Sequence, residues 1–383
     1  MVAVKNEKKE VRKISQRKIV LSKTTRAYEL LSLVALFGEF PTSLLPRISG
    51  GDSYKETIIT DLKQKGLIKT HYADGLRGLR PSTRIKRLLL SDNPDRFAFC
   101  LSENSDTNHV RSEPHRRERL YRIAEASVTM MNSGVSIFRD ERPAIFSPKW
   151  RGGECIRAPA FYSSREIKEL GVLFSKIKGA RSAGVLLTED NIFVTYSLGD
   201  SLLKWRYRAE MRNKALLQNV LCLERLPNQY SSECICGIIL ANTMELAYSI
   251  LSNKVDQYLI LDDNFEHFYF ATNDKRGEMQ IKLLCRPDIC EELDEILTQD
   301  LYDSYAGMLI ENDAMTEQGE PVLLAYKCDL KRIKKFDTAL STQNKSGIIY
   351  CFDYQADVLR RFCSERVTFR TLDYEKTERR FFS

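Results

Sequence analysis

Apolar residues first recur along this chain at helical spacing and then in alternation. Residues 26–37 are rich in apolar helix formers and stop at Gly38, which predicts a buried first helix. Residues 41–46 predict a short second helix, with Pro in its first turn and Leu44, Leu45 and Ile48 on one apolar face. A third helix is predicted from Ser53 through Lys65, after a Gly50-Gly51-Asp52 turn. Ser53 and Glu56 have the spacing of a capping box, and Gly66 stops the helix. Tyr54, Ile58 and Leu62 form its inner stripe, which turns Lys55, Thr57, Thr60, Lys63 and Gln64 outward. Strand-like residues 66–72 and 76–80 flank Asp74-Gly75, a tight-turn signal, and a helix with Arg84, Lys86 and Arg87 follows Pro81.

Beyond this point the pattern changes. Residues 94–114 are a polar connector in which 96–101 reads as one more strand or an ordered loop, and 115–126 predict a helix with Leu120, Ile123 and Ala124 inward and its arginines outward. From about residue 135, a capped helix at 163–170 precedes strands at 182–187 and 191–196. A long helix at 204–221, a buried strand at 235–240 and a helix at 243–254 follow. Residues 267–271 and 278–284 read as paired strands and 288–304 as an acidic helix. Strands at 321–326, 347–352 and 367–370 are separated by helices at 331–340 and 356–365. Strands alternating with helices predict an α/β chain, α+β overall, with a partly parallel sheet. In such a sheet Asp353, Tyr354 and Gln355, just after a strand, would line a pocket. No internal repeat is visible. The divisions expected are a flexible arm at 1–24, a domain of helices and a hairpin at 25–92, a connector at 93–134, an α/β core at 135–260 and a C-terminal α/β region at 261–383.

Charge sharpens this division. Residues 1–90 carry 19 Lys and Arg against 8 Asp and Glu, net +11, whereas 91–383 carry 40 against 44, net −4. The basic footprint is local, as expected of a module that docks on nucleic acid beside a separate body. Helix, helix, helix and hairpin is the order of a winged helix, and Asp61-Leu62-Lys63-Gln64-Lys65-Gly66-Leu67-Ile68 resembles the third helix and first strand of bacterial winged-helix regulators. The resemblance implies double-stranded DNA as partner. Lys55, Thr57, Thr60, Lys63 and Gln64 would face base edges, and Lys69, His71, Arg77, Arg80, Arg84, Lys86 and Arg87 would hold phosphates. A winged helix that binds protein is an alternative.

The order helix, strand, strand, helix, strand over residues 160–255 resembles restriction-endonuclease-like cores. Such cores need carboxylates converging on Mg²⁺ together with a lysine. Residues 184–186 and 194–197 hold no carboxylate, so the core is expected to be inactive. The runner-up reading is a metal-dependent nuclease using Glu166, Glu189, Asp190 or Glu210. With the Arg119-Leu120-Tyr121-Arg122 stretch, the whole layout resembles the replication-relaxation family of plasmids and conjugative elements. That implies a non-enzymatic DNA-binding role in a mobile element, with a homodimer or other element proteins as further partners.

Other chemistry finds little support. Phosphate-loop, dinucleotide, Gly-x-Ser-x-Gly and His-Glu-x-x-His motifs are absent. Cys234-Ile-Cys236 is spaced too tightly for a zinc pair and Cys285 and Cys290 have no partner pair. The four His stand apart, so neither metal nor cofactor is expected and the cysteines are read as buried thiols. No apolar run approaches the roughly 18–20 residues of a membrane span, and Met-Val-Ala-Val-Lys leads into charge, which predicts a cytoplasmic protein.

Overall fold

The computed structural model describes residues 22–102, 113–171, 179–255, 257–304 and 309–382. The basic arm expected at 1–24 and the connector stretch 103–112 lie largely outside the described residues. The chain is α/β and divides into two compact units, Met1–Ala124 and Glu125–Ser383.

In the first unit, α1 (Arg26–Phe37) opens where the Thr25 side chain accepts from the Tyr28 amide and closes at Gly38, whose φ of 72° is left-handed. Leu30, Leu31, Leu33, Val34 and Phe37 make it the buried helix of the unit. β1 (Phe40–Pro41) and a 3-10 turn (Thr42–Arg47) lead to α2 (Asp52–Gln64). The expected short second helix is therefore 3-10, and the expected capping box is absent. Gly51 stands at the cap with no side-chain bond, and Ser53 is already inside the helix. β2 (Ile68–Ala73) and β3 (Leu76–Pro81) form a hairpin whose turn residues, Asp74 and Gly75, have φ of 53° and 74°. β1 pairs antiparallel with β3, giving a sheet in the order β1-β3-β2.

α3 (Thr83–Asp92) follows, capped by Ser82. Residues 96–101, expected as strand or loop, belong to α4 (Pro94–Leu101). The Asn93 side chain caps this helix, Pro94 starts it, and Phe97, Cys100 and Leu101 bury one face. α5 (Pro114–Asn132) is longer than expected.

The second unit holds two five-stranded sheets. β4 (Ala160–Ser163), β5 (Gly184–Leu187), β6 (Ile192–Gly199), β7 (Ile235–Ala241) and β8 (Phe268–Thr272) are adjacent in chain order. Their successive pairings are antiparallel, antiparallel, parallel and parallel. Between β4 and β5 lies α6 (Ser164–Ile167), opened by a Ser163–Glu166 capping box. α7 (Tyr207–Leu217), which runs on into a π-helical segment (Gln218–Arg225), and α8 (Glu245–Leu251) make the crossovers. α9 (Lys275–Leu284) closes the series.

The same plan then recurs. After α10 (Pro287–Thr298) come β9 (Tyr302–Asp303), β10 (Ala314–Met315) and β11 (Pro321–Leu324). α11 (Leu330–Gln343), β12 (Gly347–Phe352), α12 (Asp353–Phe362), β13 (Val367–Leu372) and α13 (Tyr374–Phe382) complete it. The pairings again run antiparallel, antiparallel, parallel, parallel. The unit thus contains a repeat of topology that no residue pattern announced. Because β8 completes the first sheet, the sheet boundary falls after residue 260.

Residues 278–284, expected as a strand, are helical. Asp274 accepts from the amides of Arg276 and Gly277, and Met279, Gln280, Ile281 and Leu283 are buried on α9. α8 faces α12 through Arg361, which pairs with Glu245 at 2.6 Å and lies over the Tyr248 ring. No helix among the described residues is long and apolar enough to cross a membrane.

Candidate nucleic-acid interface

The outer side of α2 differs from its expected one at two residues near its start, Tyr54 and Lys55. Lys55 is only 8% exposed, and its ammonium donates to the Pro46 and Ile48 carbonyls at 3.3 and 3.2 Å while pairing with Asp52 at 2.8 Å. It fastens α2 to the 3-10 turn and is not turned toward a ligand. Tyr54, expected inside, is 55% exposed. Lys55 and Leu62 form the buried positions, with Ile58 and Ile59 half-buried between them. Thr57, Thr60, Lys63 and Gln64 are exposed as expected.

The hairpin is anchored by a buried charge cluster. Glu39, between α1 and β1, is fully buried. Its carboxylate accepts from the Arg117 Nη2 and the Tyr121 hydroxyl, both at 2.6 Å, and from the Arg80 Nε at 2.8 Å. Burial pushes the Glu39 carboxyl up, but the hydrogen bonds from Arg117, Tyr121 and Arg80 outweigh it and hold the group below its ordinary value. Arg117, 1% exposed on α5, also donates to the carbonyls of Ala73 at 2.7 Å and Leu76 at 3.0 Å, the residues on either side of the hairpin turn. Gly78 leaves the room required, because a Cβ there would stand 2.5 Å from both the Glu39 Cγ and the Tyr121 hydroxyl.

This cluster corrects three expectations. Arg80 is bound to Glu39 with its side chain 16% exposed, so its charge is already matched. His71, opposite Gly78, is half-buried, and burial followed by the Arg80 charge lowers its pKa, which disfavours the cationic form expected to hold a phosphate. Arg117 points inward although the arginines of its helix were expected outside. Lys69 and Arg77 are exposed and make no ion pair among the described residues. On α3, Arg87 is exposed while Arg84 and Lys86 are half-buried, and burial lowers the Lys86 pKa.

The sequence reading missed Glu39, Arg117, Tyr121 and Tyr72. A signal for Arg117 existed: Arg117, Leu120, Tyr121 and Ala124 share one helical stripe. Glu39 stands in an apolar run between Phe37 and Phe40, where an acid invites a partner.

In the second unit the four runner-up carboxylates are not brought together. Glu166 is buried, accepting from Arg142 at 2.7 Å and closing the Ser163 capping box. Glu210 is fully buried, bonded to the Arg181 amide at 2.7 Å and the Tyr196 hydroxyl at 3.0 Å, and burial raises its pKa to about 7. Glu189 and Asp190 are exposed in the β5–β6 turn. Among the described residues no three His, Cys, Asp or Glu side chains are grouped to hold a metal ion.

A small polar cleft of about 90 Å³ lies instead at the end of β11, lined by His267, Asp294, Asp313, Lys327, Asp329 and Arg332 among others. Asp353, Tyr354 and Gln355 do not line it. Gln355 is buried and bonded to the Phe352 amide and the Tyr326 carbonyl, Tyr354 stacks on Phe352, and Asp353 opens α12. Compared with protein-family models, curated proteins and solved structures, the chain finds no match.

Proposed function

We propose that the first unit is a winged-helix module that binds double-stranded DNA, with α2 in the major groove and the β2–β3 hairpin as its wing. One observation carries the reading. Thr57, Thr60, Lys63 and Gln64 on α2 and Lys69 and Arg77 on the hairpin are exposed, and these cations have no ion-pair partner among the described residues, whereas Lys55 is paired with Asp52, and Arg80 and Arg117 with the buried Glu39. Exposed unmatched cations next to short polar side chains suit phosphate and base-edge contacts.

The three-stranded sheet and the excess of cations in residues 1–90 support the same reading. The second unit is taken as a non-enzymatic body, because Glu166 is engaged in a cap and an ion pair, Glu210 is bonded to a backbone amide and a tyrosine hydroxyl, and Glu189 and Asp190 stand apart in a turn. Together with the layout resembling replication-relaxation proteins, this extends the proposal to a role in replication, transfer or regulation of a bacterial mobile element.

The test is selection of duplex fragments from a random pool by the full chain, compared with a Thr60→Ala/Lys63→Ala/Gln64→Ala variant. Wild type enriches particular fragments and the variant loses that enrichment. Equal enrichment by both would remove α2 as the reader.

A further inference from the structure

Within the first unit, the large hydrophobic side chains left exposed among the described residues are two tyrosines, Tyr54 on α2 at 55% and Tyr72 on β2 at 71%. Tyr72 is the more exposed. It stands two residues before the Asp74-Gly75 turn and directly across from Arg77, so the two side chains leave the same face of the hairpin. Further down that face Thr70 is exposed while Ile68, Leu79 and Pro81 are buried, which leaves Tyr72 and Arg77 as its exposed pair nearest the turn.

A hairpin tip would ordinarily be among the most mobile parts of a small module. Here the carbonyls on both sides of the bend are held by one arginine that is 1% exposed and locked by a fully buried glutamate. Fixing a tip this firmly while leaving an aromatic ring in water is the geometry of a preorganised probe.

We propose that Tyr72 is a wedge that stacks on a base at an opened step of duplex DNA, with Arg77 beside it on the phosphate backbone and Arg117 as the positioning residue that fixes the tip. This rests on the reading of the unit as a DNA-binding module and adds the class of site it selects. A step that unstacks easily, of the pyrimidine–purine type, is favoured under the hairpin. Stacking uses the ring face and needs no hydroxyl, so Tyr72→Phe keeps the contact and Tyr72→Ala loses it.

The experiment uses the full chain and a short duplex recovered from the random-pool selection, with 2-aminopurine placed in turn at each pyrimidine–purine step. Expected is a fluorescence change at one step with wild type and Tyr72→Phe that is absent with Tyr72→Ala. Tyr72→Ala should bind roughly tenfold or more weakly, with an unchanged salt slope because no charge is removed. Arg117→Lys should also lose the fluorescence change, and adding Tyr72→Ala to it should weaken binding no further. A merely structural arginine would leave the two effects additive. If wild type binds the duplex but Tyr72→Ala binds equally well, or no step responds, the wedge is wrong while the DNA reading stands. If wild type selects no duplex at all, both fall, and exposed Tyr72 is then a contact for a protein partner.

Discussion

Two fully buried glutamates, one in each unit, behave in opposite ways. Glu39 is ringed by Arg117, Arg80 and Tyr121 and stays charged, its pKa held below the ordinary value. Glu210 is met by a tyrosine hydroxyl and a backbone amide, no cationic side chain among the described residues forms an ion pair with it, and its pKa rises to about 7. Burial penalises the charged form in both, and the cations around Glu39 reverse that penalty where the neutral donors on Glu210 do not. The difference separates the roles of the two units. Charge fixed inside the first unit holds a hairpin rigid under exposed cations, whereas the buried acid of the second unit, its pKa raised, joins α7 to β6 through the Tyr196 hydroxyl.

The largest test of this contrast removes each acid. Glu39→Ala strands Arg117 and Arg80 without their counter-charge and should cost about 3–5 kcal/mol, read as loss of hydrogen-exchange protection over β2 and β3. Glu210→Gln keeps the shape and hydrogen-bonding capacity and should cost no more than about 1 kcal/mol near neutral pH. Equal effects would erase the distinction.

Titration should divide them as well. The depressed Glu39 carboxyl stabilises the fold above the ordinary value of 4.5, and that contribution is lost as pH falls through its lower folded value. For Glu210 the sign is reversed. Its folded carboxyl holds a proton that the unfolded chain has released, so stability declines as pH rises from 4.5 to about 7 and then levels off. Thermal unfolding of Glu210→Gln across that window should show this slope reduced, and an unaltered slope would place the titration elsewhere.

Smaller effects sharpen the picture within the first unit. Gly78→Ala forces a Cβ against Glu39 and Tyr121 and should destabilise by about 1–3 kcal/mol in denaturant unfolding. Lys55→Ala should lower stability by roughly 1–2 kcal/mol without changing which DNA is selected, because its ammonium binds carbonyls inside the module. A change in selection by Lys55→Ala would restore it to the contact surface.

How far the sequence carried this account varies from element to element. The hairpin was legible because Asp74-Gly75 supplies the two left-handed residues its turn requires. α1 was legible from its apolar density and its glycine stop. Lys55 was misplaced because stripes through Tyr54 or Lys55 share Ile58 and Leu62. The choice between them is made by the Pro46 and Ile48 carbonyls, a tertiary contact.

Residues 278–284 alternate as a strand would, yet the Asp274 cap starts a helix there and the Gln280 Nε2 donates to the Phe270 carbonyl. Glu39 and Arg117 are 78 positions apart, beyond any local pattern. The repeat in the second unit was hidden because pairing sense and strand order recur without recurring residues.

The most direct measurement of the central claim is the salt dependence of duplex binding by the full chain, wild type against Lys63→Ala/Lys69→Ala/Arg77→Ala. The account predicts wild-type affinity falling linearly in log–log form, with the triple variant binding more weakly and its slope shallower by up to about 3, roughly one for each phosphate contact removed. Folding stability should change by less than about 0.5 kcal/mol per substitution, since all three side chains are exposed. Identical slopes for the two proteins, or no duplex binding by wild type at low salt, would contradict it.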